Sequence, residues 1–447
     1  MDYFSTFNPT NNTELQKFKY TSWESAQAVV AAAHQDFLVW RKKNFQERAQ
    51  VLFELAHCLR LRKDELSKQM NLEMGKKIEE GLSEVEKCAA ACEYFAREAS
   101  TLLAPRLLQS NYQKTEVVFN PMGVIFSIMP WNFPLWQVIR FAAPALMAGN
   151  VIILKHADLT AGTAELLGDL FSQLKINLKL LHNCHVDHAV AELMISHPLI
   201  RGVSFTGSAA GGREVAKIAG HNLKKAVLEL GGSDAYLILE DANLETAAKK
   251  CAETRLQNCG QSCVAGKRFI VVESVVQEFL SSFIKEMASI DLAPLAAKRF
   301  QVQIMAQVEG MRSLGGEILL GGVTPEGVGA FYPPTVILFM KNCSEIHIQE
   351  IFGPVALVIV VKDTKEAIEV ANSSHFGLGG GVFIGDTVKG EVIAAEELEV
   401  GFAVVNDFVR SDVRLPFGGL KDSGYGRELG LFGILEFVNI KTVGVNS

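Results

Sequence analysis

The sequence of 447 residues predicts an α/β protein in which parallel strands alternate with helices. From residue 123 onward, short apolar runs bounded by turn residues are separated by segments of helical periodicity. Apolar residues make up 49% of the chain, which excludes a disordered protein, and the length allows two or three structural units with sizeable cores. This alternation is typical of doubly wound sheets, which bind ligands at the carboxyl ends of their strands.

The first half of the chain changes from helices to strands. Residues 22–104 read as helices, because apolar residues such as Ile78, Leu82 and Val85 recur at three- and four-residue spacing. Residues 114–120 alternate like a strand. The remaining predictions are strands at 123–129, 150–155 and 202–205, a helix at 135–148 and a helix that ends near residue 219.

A second α/β block begins near residue 232. Its predicted elements are strands at 235–239, 268–272, 355–361 and 380–383 and a helix at 243–257. The C-terminal segment 437–445 is strand-like, and we expect it to pair with segment 114–120 of its own chain or of a neighbouring one.

Charge and cysteine content exclude several classes of protein. The chain carries 43 basic and 50 acidic residues, which argues against nucleic acid and anionic membranes as partners. Eight cysteines without a CxxC pair, and no N-terminal secretion signal, predict a reduced cytoplasmic protein. The apolar stretch 124–154 is interrupted by Pro134, Pro144 and Arg140, so it predicts buried strands and a helix, not a membrane span.

Three residues have the chemistry that acyl-thioester formation and hydrolysis need. Cys263 is a candidate nucleophile, and a buried structural cysteine is the alternative. Glu229 follows an apolar strand, so burial would raise its pKa and suit it to take a proton from water; a strand-end ion pair is the alternative. Asn132 offers amide donors for an oxyanion, unless it is only a turn residue between two prolines.

The motifs around these residues resemble the aldehyde dehydrogenase superfamily. They are Pro130-Trp131-Asn132-Phe133-Pro134, Glu229-Leu230-Gly231-Gly232 and Asn258-Cys259-Gly260-Gln261-Ser262-Cys263, and the resemblance runs from about Asn8 to about Val443. It implies the aldehyde dehydrogenase fold, with a Rossmann-like dinucleotide-binding domain at 1–102 and 123–231, an α/β catalytic domain at 232–423 and a β oligomerisation arm at 103–122 and 424–447. It also implies a homodimer or homotetramer.

The resemblance implies a covalent mechanism. The Cys263 thiolate would attack an aldehyde to give a thiohemiacetal, which loses a hydride to a nicotinamide and becomes a thioester. The Asn132 amide and the Cys263 backbone N–H would hold the oxyanion. The presence of Glu229 favours release of the acid by hydrolysis over transfer to coenzyme A.

The expected cofactor is NAD, with NADP as the alternative. The turn Thr206-Gly207-Ser208 between a strand and a helix can meet a pyrophosphate, and Lys155 matches the family lysine at the adenosine ribose. A carboxylate at Asp158 would repel a 2′-phosphate and therefore favours NAD. Further cofactor contacts are expected from Trp131, Gly207, Ser208, Gly231, Glu350 and Phe352; for Glu350, a surface charge is the alternative.

The resemblance is greatest to bacterial succinate-semialdehyde dehydrogenases. Arg140 and Ser411 match residues that bind the far carboxylate of that substrate, while Gln257 stands where some members carry a second arginine. A helix-surface ion pair is the alternative for Arg140. The open alternatives for the substrate are glutarate semialdehyde, glutamate semialdehyde and a plain aliphatic aldehyde.

Two segments depart from the family pattern. Residues 174–185 lack the usual turn with Pro and Gly, and the loop at 290–294 is short, so the sheet edge and the cofactor pocket are expected to differ. These departures leave open a catalytically impaired paralogue that binds NAD. The neighbouring residues His182, Cys184, His185, Asp187 and His188 are interpreted as a polar loop, and no metal site is expected.

Overall fold

The computed structural model describes residues 3–342, 344–347 and 349–446. The helices are α1 (Trp23–Trp40), α2 (Phe45–Leu61), α3 (Lys63–Met74), α4 (Ile78–Leu102), α5 (Trp136–Met147), α6 (Ala161–Ser172), α7 (His188–Ser196), α8 (Ala209–His221), α9 (Leu244–Leu256), α10 (Val276–Ser289), α11 (Lys298–Ser313), α12 (Thr364–Asn372), α13 (Thr387–Val392) and α14 (Gly430–Glu436).

The strands are β1 (Tyr3–Phe7), β2 (Glu14–Lys19), β3 (Arg106–Leu108), β4 (Lys114–Pro121), β5 (Val124–Met129), β6 (Val151–His156), β7 (Leu181–Asn183), β8 (Ile200–Thr206), β9 (Lys225–Glu229), β10 (Asp234–Ile238), β11 (Gly266–Val272), β12 (Glu317–Leu320), β13 (Thr335–Phe339), β14 (Val355–Val361), β15 (Phe376–Gly377), β16 (Gly379–Phe383), β17 (Phe402–Val405), β18 (Leu420–Lys421), β19 (Gly424–Tyr425) and β20 (Val438–Val445). The individually predicted strands and helices are present with their ends shifted by at most two residues.

The first large sheet has the order β19-β9-β8-β5-β6-β7, and its strands are parallel except for β19. The short strand β7 closes one edge beside β6, although the segment 174–185 lacks the expected turn residues. The sheet edge is therefore retained in shortened form. At the other edge, β19 pairs with β9 through Gly424 and Tyr425, which the sequence assigned to the arm.

The second large sheet has the order β12-β13-β14-β11-β10-β16-β17, and all its strands are parallel except β12. Its central strands β11 and β14 are buried along their whole length, which explains the continuous apolar run of β14 and of the second half of β11. Both sheets thus have the parallel arrangement that the strand–helix alternation predicted.

Strands β20, β4 and β3 form a separate antiparallel arm. β20 pairs with β4 of the same chain, from Val438 opposite Pro121 to Val445 opposite Lys114. This is the first of the two pairings that the sequence left open. The outer edges of the arm belong to β3 and β20, and both strands expose apolar side chains. These are Leu107, Leu108, Ile440, Val443 and Val445.

An N-terminal hairpin of β1 and β2 was not expected from the sequence. Most of its side chains are exposed or half-buried, so it lacks the apolar pattern that marks a buried strand. The hairpin is tied to both halves of the molecule, since Ala330 N donates to Pro9 O at 2.8 Å and Thr21 N donates to His185 O at 2.7 Å.

The helices α1–α4 cover the first sheet and pack on one another. The α4 face predicted to be apolar is buried from Val85 onward, whereas Ile78 at the start of the helix is exposed. Cys88 and Cys92 lie in the core as expected. The seven cysteines within the described residues are all free thiols. The apolar stretch 124–154 forms β5, α5 and β6, and within the described part of the chain no helix combines the length and apolar character needed to cross a bilayer.

Candidate active site

The segment that carries Cys263 follows α9 through a strained turn. Asn258 and Cys259 have φ values of 51° and 55°, which are unusual for residues with a side chain. Gly260 follows with φ of 72°, and a Cβ there would lie 2.3 Å from the carbonyl oxygen of Gly353. The turn therefore depends on glycine at this position and fixes the main chain that leads to Cys263.

The Cys263 side chain is half-buried, and Lys267 contacts its backbone. Lys267 Nζ donates to Cys263 O at 2.5 Å and to Ser262 O at 3.0 Å. Burial raises the pKa of the Cys263 thiol to about 11, although the positive charges of Arg140 and Lys267 oppose this. The thiol is therefore mainly protonated near neutral pH in the protein without ligands.

Asn132 lies directly after β5, only 4% exposed, and is held against the Cys263 segment. Its Nδ2 donates to Gln261 O at 3.0 Å, and its backbone oxygen accepts from Asn258 Nδ2 at 2.9 Å. These two bonds cross-link the turn after β5 to the turn before Cys263. An amide donor is thereby placed beside the candidate nucleophile, as an oxyanion site requires.

Glu229 ends β9 and is 3% exposed. Burial, reinforced by the nearby carboxylate of Glu428, raises its pKa well above the ordinary value. Gly418 approaches it closely, because a Cβ there would lie 2.8 Å from Glu229 Oε1. Within the described residues neither carboxylate oxygen has a hydrogen-bond partner, and Glu229 lines neither of the two cavities that reach Cys263.

One cavity of about 240 Å³ brings most of the predicted cofactor residues together with Cys263. Trp131 stacks on Phe300 at 4.7 Å between ring centroids and meets Phe352 edge-on at 5.7 Å. The residues from the sequence prediction that line this cavity are Trp131, Asn132, Gly207, Ser208, Gly231, Cys263, Glu350 and Phe352. An aromatic wall beside polar groups suits the nicotinamide half of a dinucleotide.

Glu350 is held at the floor of this cavity and is not a free surface charge. Its Oε1 accepts from Gly232 N at 3.0 Å and lies 3.6 Å from Lys267 Nζ. A Cβ at Gly231 would lie 2.3 Å from Glu350 Oε2. Glycine at 231 therefore allows the carboxylate to sit beside the main chain, where it could accept hydrogen bonds from a ribose.

The turn between β8 and α8 forms another part of the cavity. Ser208 caps α8, because its Oγ accepts from Gly211 N at 3.2 Å. Gly207 N donates to the backbone oxygen of Glu229 at 3.0 Å, which ties this turn to the strand that carries the candidate base. The helix N-terminus faces the cavity, and its amides suit a pyrophosphate.

Lys155 and Asp158 lie outside this cavity, at the end of β6. Lys155 Nζ is 3.8 Å from Asp158 Oδ1, and Tyr20 donates its hydroxyl to Asp158 Oδ2 at 2.5 Å. Burial and this hydrogen bond raise the pKa of Tyr20. Asp158 borders a neighbouring cavity of about 380 Å³ beside the N-terminal hairpin. No feature of the sequence predicts the contact between Tyr20 and Asp158.

A second cavity of about 340 Å³ reaches Cys263 and contains all three predicted substrate residues, Arg140, Gln257 and Ser411. Arg140 is 2% exposed and forms an ion pair with the buried carboxylate of Glu428. Its guanidinium also lies 5.0 Å from the ring centre of Phe417. The alternative interpretation of Arg140 from the sequence is an ion pair on the helix surface. Arg140 does form an ion pair, but the pair lies in the protein interior.

The sequence prediction missed four residues of the site. They are Lys87 in the second cavity, Phe300 in the first, Lys267 beneath Cys263 and Glu428 beside Arg140. Phe300 lies in the first turn of α11, which follows the segment 290–297. None of these four residues belongs to a sequence motif that would identify it as a site residue. Their place in the site is seen only in the folded structure.

The histidine-rich segment 182–188 forms hydrogen bonds to carboxylates and a helix cap. His182 Nε2 lies 3.1 Å from Asp36 Oδ2, and His185 Nε2 lies 2.6 Å from Glu165 Oε1. Asp187 caps α7 by accepting from Val190 N at 2.8 Å. Among residues 3–342, 344–347 and 349–446 no group of three or more side chains is arranged to hold a metal ion.

Comparison with known proteins agrees with this geometry. The sequence profile of the aldehyde dehydrogenase family matches residues 2–443. The chain belongs to the aldehyde dehydrogenase family. A probable succinate-semialdehyde dehydrogenase [NADP(+)] of Synechocystis sp. is 39% identical, over 99% of each chain. The succinate semialdehyde dehydrogenase [NAD(P)+] Sad of Escherichia coli is 37% identical, over 98% of this chain and 97% of its own.

Solved structures confirm the aldehyde dehydrogenase fold. The succinic semialdehyde dehydrogenase of Streptococcus pyogenes, determined in complex with NADP+, superposes with a TM-score of 0.96 at 33% identity, over 99% of this chain and 100% of the other. This aldehyde dehydrogenase is therefore an NAD(P)-dependent enzyme of the α/β class that the sequence predicted. The shortened segments do not alter the fold.

Proposed function

We propose that this aldehyde dehydrogenase oxidises succinate semialdehyde to succinate. The observation that carries the proposal is the second cavity, which joins Cys263 to cationic and hydroxyl side chains. An aldehyde at the thiol and a carboxylate at those groups would fill one continuous space. Two relatives at 37–39% identity are named for this substrate, which supports the same assignment.

The proposed roles follow from the geometry around Cys263. Cys263 Sγ attacks the aldehyde carbon, while Asn132 Nδ2 and the Cys263 backbone N–H hold the oxyanion. A nicotinamide bound beside Cys263 would supply the hydride acceptor, and loss of the hydride from the Cys263 adduct would give the thioester. Trp131, Gly207, Ser208, Gly231, Glu350 and Phe352 would hold the cofactor in the first cavity, with Lys155 and Asp158 at its adenosine ribose.

Glu229 is proposed to take a proton from the water that hydrolyses the thioester. Its raised pKa suits a base, but its carboxylate lies away from both cavities. The side chain must therefore rotate towards Cys263 after the hydride has left. A carboxylate without hydrogen-bond partners among the described residues is free to make that movement.

Three larger assignments are part of the proposal. We propose the domain boundaries given by the sequence resemblance, with the dinucleotide-binding domain at 1–102 and 123–231, the catalytic domain at 232–423 and the arm at 103–122 and 424–447. We propose that the exposed apolar arm joins two or four copies of the chain. The free thiols of the described cysteines support a reducing, cytoplasmic setting.

The test follows the absorbance of the reduced nicotinamide with succinate semialdehyde and with butanal, each with NAD and NADP. We expect a higher kcat/KM for succinate semialdehyde and no turnover by Cys263→Ala. The Cys259→Ala variant is the matched control, since Cys259 donates its thiol to Ala293 O and lies outside both cavities. Equal kcat/KM for the two aldehydes would overturn the proposed substrate.

A further inference from the structure

The second cavity contains three cationic side chains, and two of them already have carboxylate partners. Arg140 is paired with Glu428 in the interior. Arg410 at the rim lies 3.1 Å from Asp407 and 3.5 Å from Glu253. A cation that is already neutralised attracts a further carboxylate less strongly.

The third cation, Lys87 on α4, has no carboxylate within 4.0 Å among the residues that the structure describes. Its Nζ donates to Ser411 Oγ at 2.6 Å and lies 4.2 Å from the centre of the Trp136 ring. Burial, with the nearby charge of Arg140, lowers the pKa of Lys87 to about 8. Lys87 is thus a partly desolvated ammonium group without a directly paired carboxylate, although the charges of Glu84 and Asp412 act on it from farther away.

The acidic residues that line the same cavity do not pair with Lys87. Glu84 forms an ion pair with Lys76 and accepts from the backbone of Leu135 at 2.9 Å. Glu80 accepts from Asn258 N at 2.9 Å. Glu79 is exposed at the start of α4.

We propose that Lys87 and Ser411 bind the far carboxylate of the semialdehyde, and that Lys87, more than Arg140, selects acid-bearing aldehydes. The inference rests on the proposed function, because both require a substrate with a carboxylate. It differs from the sequence prediction, in which Arg140 supplies the charge.

Electrostatics distinguish the two cations. A carboxylate placed on Arg140 would join Glu428 and the neighbouring Glu229 in one buried site, and like charges in a desolvated site repel. A carboxylate placed on Lys87 supplies the directly paired counter-ion that this ammonium lacks. The Ser411 hydroxyl, which now accepts from Lys87, can turn and donate to the same carboxylate.

The test compares kcat/KM for succinate semialdehyde with kcat/KM for butanal, which has the same chain length without the carboxylate. In Lys87→Gln we expect this ratio to fall about 10- to 100-fold, since a charge-assisted hydrogen bond in a desolvated site is lost. Product inhibition by succinate should weaken in parallel. Lys87→Arg keeps the charge and should recover most of the ratio.

The matched control is Arg410→Gln, which removes a cation from the rim of the same cavity. Because Arg410 is exposed and already paired, we expect the ratio to change by less than about twofold. A wild-type enzyme without preference for succinate semialdehyde would overturn the proposed function. A wild-type preference that survives in Lys87→Gln but is lost in Arg140→Met would overturn this inference alone.

Discussion

At the scale of single residues, Cys263 needs help to become a nucleophile. Its pKa of about 11 means that the thiolate fraction rises about tenfold per pH unit below that value. We therefore expect the rate of inactivation by iodoacetamide, measured without cofactor, to rise about tenfold per unit between about pH 7 and pH 10. A rate that is already constant above about pH 8 would show that the thiol ionises more easily than its burial indicates.

Asp158 is predicted to favour NAD over NADP, since its carboxylate would repel a 2′-phosphate. Two relatives carry NADP(+) in their names, so this residue gives a direct test. In Asp158→Ser we expect the ratio of kcat/KM for NADP to that for NAD to rise at least about tenfold. Tyr20→Phe is the control, because it removes the hydroxyl on Asp158 and keeps the charge. A wild-type enzyme that prefers NADP would contradict the prediction.

The structure brings together those predicted site residues that lie in short motifs. Trp131, Asn132 and Cys263 lie in such motifs and line one cavity. Lys87 lies on an amphipathic helix, where a lysine normally marks the solvent face, so the local pattern gives no reason to choose it. Its proximity to Ser411 depends on contacts between segments more than three hundred residues apart.

At the scale of elements, the ion pair of Arg140 and Glu428 joins α5 to the turn before α14. Removing one partner of a buried pair leaves an uncompensated charge. We expect Glu428→Leu to lower the free energy of unfolding by about 3 kcal/mol, as measured by denaturant titration. The double variant Arg140→Met/Glu428→Leu should recover most of that loss. A double variant less stable than Glu428→Leu would contradict this account.

Whether an element could be predicted depended on its burial. Strand β14 and the last four residues of β11 are apolar because helices cover both faces of their sheet. The hairpin of β1 and β2 and the arm strand β3 lie at the surface, where polar and apolar side chains mix. Their pairing is set by backbone hydrogen bonds, which leave little trace in the sequence.

At the scale of the whole molecule, the arm is the surface that we expect to join copies of the chain. Ile440 and Val443 are exposed on β20, whose outer edge has no strand beside it within the described chain. We expect the wild type to form a dimer or tetramer and the double variant Ile440→Glu/Val443→Glu to form smaller species. Size-exclusion chromatography with light scattering would measure the mass of each. Leu223→Glu, at a residue 96% exposed away from the arm, is the control. A monomeric wild type would overturn this assignment.

Cys263 is the point where two otherwise separate cavities meet; besides it, they share only Gln137. Each cavity has its own lining, so a dinucleotide and an aldehyde bound as proposed would not need to pass each other. An acyl group on Cys263 that occupies the second cavity would leave the first cavity open. The order in which the two reactants arrive is thus not imposed by the shape of the protein, and a spent cofactor can depart while the acyl group stays attached.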